Sequence, residues 1–235
     1  IIGYDFADDD RRPYKVLHIY ETENLSHPGT AAARILLDEA EAARLVAIRT
    51  NFSDQKAVAS AIAYAANSPA RIIAVQHPYA TDADIALLNA AARRFPDRLF
   101  IVPAGELNAD LDHSPATKDA GAPNLIVVAA ATPDGRISEG SNWGALSVDV
   151  ATEAGAVTSF GAAGPRFSFK PEGDISMARL AALAARLLAI RPDLSAEELK
   201  RAVLRLAQPA PNAGNKKTRT GFIATPWRQF QVEKR

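Results

Sequence analysis

Four histidines, at positions 18, 27, 77 and 113, are the side chains of this 235-residue sequence best suited to move protons near neutral pH. Their separations match no paired metal-ligand spacing. His77 and His113 could share a cleft if the fold joins them; otherwise they are ordinary surface groups. Cysteine is absent, which excludes thiolate nucleophiles, disulfides and cysteine zinc sites. Asn108-Ala-Asp110-Leu-Asp112 gathers oxygens that would suit calcium, but the same pattern is common in plain turns. Asp8, Asp9 and Asp10 read as a polar surface run. No Gly-x-Gly-x-x-Gly, phosphate loop or Gly-x-Ser-x-Gly elbow occurs. Neither a cofactor nor a metal site is expected.

Bulk composition narrows the partners. Lys plus Arg (27) balance Asp plus Glu (27), so no net field draws the chain to nucleic acid or to an acidic membrane. No apolar run is long enough to span a bilayer. The chain opens Ile1-Ile2-Gly3 with no signal-peptide pattern, as a processed product would.

Periodicity supplies the elements that must position any site. Helices are predicted over Gly29–Ala43, Asp54–Ala66, Thr81–Arg94, Ser176–Ile190 and Ser195–Ala207, several with Ser, Thr or Asp caps. Between them lie apolar runs, Arg44–Arg49, Arg71–Val75, Arg98–Val102 and Asn124–Ala129, of the kind that forms strands covered on both faces. Strand and helix alternate, which predicts one α/β domain over 1–235, a parallel sheet flanked by helices, with 213–235 as loop and tail.

The ordered phrases of this chain resemble those of the bacterial subtilisin-like serine proteases, the subtilases. Gly3-Tyr-Asp-Phe6, acidic residues and Pro13 resemble the segment entering the family's histidine motif, and Ser26-His27-Pro28-Gly29-Thr30 resembles that motif. Pro103-Ala-Gly-Glu106 stands where the family ends a strand with Ala-Ala-Gly-Asn. Asn124–Thr132, Asp134-Gly135, Ser141-Asn-Trp-Gly144 and Val148-Asp-Val-Ala151 follow in the family's order. Asp174-Ile-Ser-Met-Ala178 stands where the family has Gly-Thr-Ser-Met-Ala. The resemblance covers about Gly3 to Phe222 and lacks the first core strand, which carries the family's catalytic Asp.

What the resemblance implies is a peptide hydrolase with a Ser nucleophile, a His base, an Asp orienting it and an Asn for the oxyanion. Ser176 holds the nucleophile's place, or packs as a small helix-start residue. An ungapped alignment puts the family's His on Pro28; an inserted Pro28 would make His27 the base, and otherwise His27 is a loop residue. Glu106 occupies the oxyanion position, where a carboxylate repels the charge an amide would stabilise, or else it is a solvated loop acid. Moving Asn108 into that place needs two extra residues at a strand end. No Asp-Thr-Gly or Asp-Ser-Gly phrase is present. Where the family's flat substrate-binding backbone follows its strand, this chain has Gln76-His77-Pro78-Tyr79; Pro78 lacks an amide donor, and His77 and Tyr79 are bulky enough to fill the groove.

The expectation is therefore a catalytically impaired subtilisin-like domain, a pseudoprotease with a binding or structural role toward a peptide or protein. The alternative is an active serine endopeptidase using Ser176 and His27, its Asp-bearing strand supplied from outside this chain. An extracellular or periplasmic location is implied only by the family. If the first core strand is missing, Lys15–Tyr20 is the apolar run expected to cover the edge, with nothing else near the N-terminus able to form a strand.

Overall fold

Capping chemistry sets most helix starts in the computed structural model, which describes residues 2–13, 28–76, 78–119, 121–154, 157–160, 166–169, 173–210 and 214–224. Strand β1 (Ile2–Asp5) is followed by α1 (Pro28–Glu39), β2 (Val46–Arg49) and α2 (Gln55–Asn67), whose N-cap Asp54 accepts from the Lys56 and Ala57 amides. Next come β3 (Ile72–Ala74), then α3 (Asp82–Arg94) behind a Thr81–Asp84 capping box, and β4 (Leu99–Pro103). Short 3₁₀ turns at Leu111–His113 and Pro115–Asp119 lead to β5 (Leu125–Ala131), β6 (Val150–Glu153), β7 (Val157–Phe160) and β8 (Arg166–Phe169). The chain ends in α4 (Gly173–Ile190), α5 (Ala196–Leu204), opened by a Ser195–Glu198 capping box, and β9 (Phe222–Ile223).

Strands β3, β4, β5, β6 and β9 lie side by side, all parallel, in one five-stranded sheet. Its alternation sorts the core into two layers. Ile73, Phe100, Val102, Leu125 and Val127 face Val58 and Ile62 of α2 and Ile85 and Leu88 of α3. On the opposite face, Leu99, Ile101, Ile126 and Val128 meet Ile35 of α1, Leu180 and Leu183 of α4, and Leu199 of α5. Each such side chain, fully buried, contributes roughly 1.5–3 kcal/mol. The runs predicted as Arg71–Val75 and Arg98–Val102 pair directly. The fold is thus an α/β parallel sheet flanked by helices. No helix among the described residues is long and apolar enough to cross a membrane.

Two departures concern the ends of elements. Helix α1 stops at Glu39 rather than Ala43, because Ala40 is buried and the Ala43 amide closes a tight turn on its carbonyl at 2.8 Å. Helix α4 starts at Gly173, so Ser176 lies inside its first turn rather than opening it.

The N-terminus corrects a further expectation. Ile2–Asp5 does form a strand, pairing parallel with β2 as a separate two-stranded unit. Gly3 makes the approach possible: a β-carbon there would lie 2.2 Å from the Ala47 carbonyl oxygen. Lys15–Tyr20 falls outside the described residues. Among the described residues, β2 and β3 are not paired with each other, and no strand stands between them.

Candidate functional site

The C-terminal ends of β3 and β4 meet the N-termini of α1 and α4. Gly173 opens α4 so close to β4 that a β-carbon on it would lie 2.9 Å from the Pro103 side chain. Gly29 of α1 sits beside Gln76, which follows β3; the Gln76 Oε1 atom would be 3.3 Å from a β-carbon there. The start of α4 therefore faces the end of β4, with amides that lack intrahelical partners and the positive end of the helix dipole.

Glu106 occupies that spot. Its Oε1 accepts a hydrogen bond from the Gly173 amide at 2.9 Å, although most of the side chain stays exposed. The turn that delivers it is held by Asn142, which is fully buried. Asn142 Oδ1 accepts from the Leu107 and Ala109 amides at 2.9 and 3.0 Å, and its Nδ2 donates to the Ala104 carbonyl at 2.9 Å. Gly105, with φ +99°, makes the turn between them; a β-carbon there would meet Asn142 Nδ2 at 2.7 Å. The Ser-Asn-Trp-Gly phrase, which marks only an alignment position in the sequence, is thus what clamps the Glu106 turn.

Asp174 is the second carboxyl. Burial, then the charge of Glu106, raise its pKa from 3.8 to about 6, with the nearby Gln76 amide acting in the opposite direction. Nothing in the periodicity marks Asp174, but its place in the Asp-Ile-Ser-Met-Ala phrase, where the family carries Gly, was the available signal.

Ser176 is 0% exposed. Its hydroxyl donates to the Thr152 carbonyl of β6 at 3.0 Å. That contact ties α4 to the sheet.

The remaining expected groups scatter. His27 and His77 lie outside the described residues. Tyr79 does not fill a groove: it is 1% exposed in the core, its hydroxyl accepting from Asn89 Nδ2 at 2.6 Å and its amide donating to the Pro103 carbonyl. Apolar ring area and a buried amide partner favour the inside over a solvated cleft. Pro78 is exposed, and Gln76 stands between α1 and Asp174. His113 is exposed, 3.3 Å from Asp110. The oxygens of the Asn108–Asp112 run serve the protein itself. Asp110 caps the 3₁₀ turn, and Asp112 accepts from the Leu146 and Ser147 amides and the Ser147 hydroxyl. Asp8 and Asp9 are exposed, whereas Asp10 bridges back to Asp5 through its backbone.

A parallel sheet whose central helix carries the Ser-Met-Ala phrase into the core is the architecture of the subtilisin-like α/β proteins. The chain belongs to the subtilase family, whose model matches residues 25–222. Among solved structures it is similar to a cold-adapted subtilisin-like serine proteinase, at 18% identity and TM-score 0.73, over 96% of this chain and 81% of that one. It is also similar to a protease from Pseudoalteromonas arctica (16% identity, TM-score 0.69, 97% and 82% covered). The A-subunit of an AB5 toxin from E. coli matches at 18% identity and TM-score 0.67, with 96% and 84% covered. No curated protein shows significant sequence similarity to it.

Proposed function

We propose that this subtilase-family domain does not hydrolyse peptides and instead binds a peptide or protein partner or supports an assembly. The observation that carries the reading is Ser176, wholly buried with its hydroxyl on the Thr152 carbonyl. A serine nucleophile must be met by a substrate carbonyl, and a hydroxyl on a side chain with no exposed surface is not open to one. Glu106 adds to the case, because it brings a carboxylate to the α4 amide end where an oxyanion would need donors. Losing one such donor alone costs about 10²–10³ in turnover. The fold itself is compatible with an assembly role, since it serves in proteinases and in a toxin A-subunit.

The test is a fluorophosphonate probe on the purified chain, with casein and chromogenic peptides as substrates. No labelling of Ser176 and no cleavage are expected. A second reading, an endopeptidase using Ser176 and His27 with its Asp strand supplied from outside, is favoured by the lack of pairing between β2 and β3 among the described residues. Stoichiometric labelling abolished by both Ser176→Ala and His27→Ala would establish it and overturn the first.

A further inference from the structure

Helix α1 ends on an acid. Glu39 is its last residue, at the negative end of the helix dipole, and no basic residue occupies the last turn. The side chain nevertheless lies against the interior, only 13% exposed. Its Oε1 is 3.3 Å from the Arg179 Nε of α4, and its Oε2 is buried with no hydrogen-bond partner among the described residues.

Arg179 is shared between two acids. Its Nη1 donates to the Glu153 carbonyl of β6 at 3.1 Å and lies 3.8 Å from the Glu153 carboxylate. Arg179 and Glu153 are 12% and 16% exposed, so all three side chains sit largely out of water. The other charges that act on Glu39 are Arg186, two turns further along α4, and Asp38 on α1, itself paired with Arg34 at 2.5 Å. Strand β7, which also packs on α1, carries no titratable residue. An ionised oxygen enclosed without a donor is far costlier than a neutral one. The geometry therefore favours a proton on one of the two carboxyls, and Glu39 is the one with the orphan oxygen. Its pKa is raised from 4.5 to about 7, by burial first, against the pull of Arg179 and Arg186.

We propose that Glu39 is a proton-operated latch between α1 and the α4–β6 seam. It is closed while the carboxyl is neutral, and it opens at alkaline pH, when the charged carboxylate turns out to water with the last turn of α1. A raised folded pKa contributes stability that is present below the unfolded value and lost as pH rises through the folded one. Release is thus a response to alkali, not to acid. The latch rests on the seam that holds the Ser176 hydroxyl: Ser176 donates to Thr152 one turn before Arg179 bonds the adjoining Glu153.

The experiment follows the Glu39 carboxyl carbon by NMR in the full chain carrying isotope-labelled glutamate, with the signal assigned by its loss in Glu39→Gln. A midpoint near 7 is expected, and one near 4.5 would overturn the proposal. Glu153→Gln relieves Arg179 of its second carboxylate and should lower the midpoint. An unchanged midpoint would show that Arg179 is not shared and overturn the latch. Backbone hydrogen exchange, corrected for its intrinsic pH dependence, reads the opening itself. The Ala40 and Ala43 amides close the end of α1 on the Leu36 and Ala40 carbonyls. From about pH 5.5 to about pH 8.5 their protection should fall about tenfold or more in the wild type and stay level in Glu39→Gln. Equal loss in both proteins, or loss in neither, would overturn the proposal. None of these outcomes involves Ser176 labelling, so the latch and the non-catalytic reading fail separately.

Discussion

The five-stranded sheet and the β1–β2 pair are built from similar apolar strands, but they handle buried charge differently. In the large sheet, Asp149 is 3% exposed and is enclosed by partners on several sides. Its Oδ2 accepts from the Val127 amide at 2.9 Å, and its Oδ1 lies 3.3 Å from Lys200 and 3.1 Å from Arg219. Lys200 also donates to the Leu125 carbonyl. In the small pair, Asp5 is 0% exposed but leans on one half-exposed guanidinium, Arg49 at 2.7 Å, plus the Ala7 and Asp8 amides. Around it the Tyr4, Phe6 and Tyr64 rings pack with centroids 4.8–5.8 Å apart. A strand covered on both edges and both faces can hold a charge in a closed network. Asp5, at the end of β1, depends instead on a single guanidinium and two amides.

The contrast is broken most severely at Asp149. Asp149→Ala leaves the Lys200 ammonium buried without its counter-ion, and burial already pulls the Lys200 pKa down. The expected loss is about 3–5 kcal/mol in urea unfolding. A loss below about 1 kcal/mol would mean that the network carries little of the sheet.

Asp5→Asn should cost less, about 1–2 kcal/mol, and should depend on pH. Burial alone would raise the Asp5 pKa, but the Arg49 guanidinium and the Asp8 and Ala7 amides outweigh it and hold the pKa below the usual carboxylate value. A depressed folded pKa contributes stability that is present above the unfolded pKa and lost as pH falls through the folded one. The gap between wild type and variant should therefore be full at pH 6 and close toward pH 3. A gap independent of pH would assign the effect to packing instead.

An effect of similar size but opposite sign is expected at Asp174. Asp174 has its folded pKa raised to about 6, by burial first and by Glu106 second. The folded state then holds its proton more tightly than the unfolded one, so stability from this group falls as pH rises from about 4 to 6 and stays low above. Asp174→Asn should stabilise by roughly 1–2 kcal/mol at pH 8, after discounting two pKa units at about 1.4 kcal/mol each for relaxation. Near pH 3.5 it should change little. Equal stability of the two proteins at pH 8 would remove Asp174 from the Glu106 pocket.

Much of the fold was legible because its signals are local. The Thr81 and Ser195 capping boxes and the Asp54 cap each depend on residues within a few positions, and the structure places all of them at helix starts. The buried strands β4 and β5 were legible because a strand covered on both faces is apolar throughout. Strand β1 was missed because Ile2-Gly-Tyr-Asp5 has a glycine inside it and an acid at its end. The close approach to Ala47 that requires the glycine exists only once β2 is in place. Tyr79 was misplaced for a related reason: its inward direction depends on Asn89, ten residues away on α3.

The sequence by itself determined the family, the alternation of strands and helices, and the place of Glu106 at the end of β4. Those follow from residue types, periodicity and the order of short phrases along the chain. Only the tertiary structure decided that Glu106 bonds the Gly173 amide and that Asn142 clamps its turn. It alone put the Ser176 hydroxyl on Thr152 and left β2 and β3 unjoined among the described residues. These are contacts between segments tens of residues apart. Their directions are set by packing geometry, which no local pattern of residues encodes.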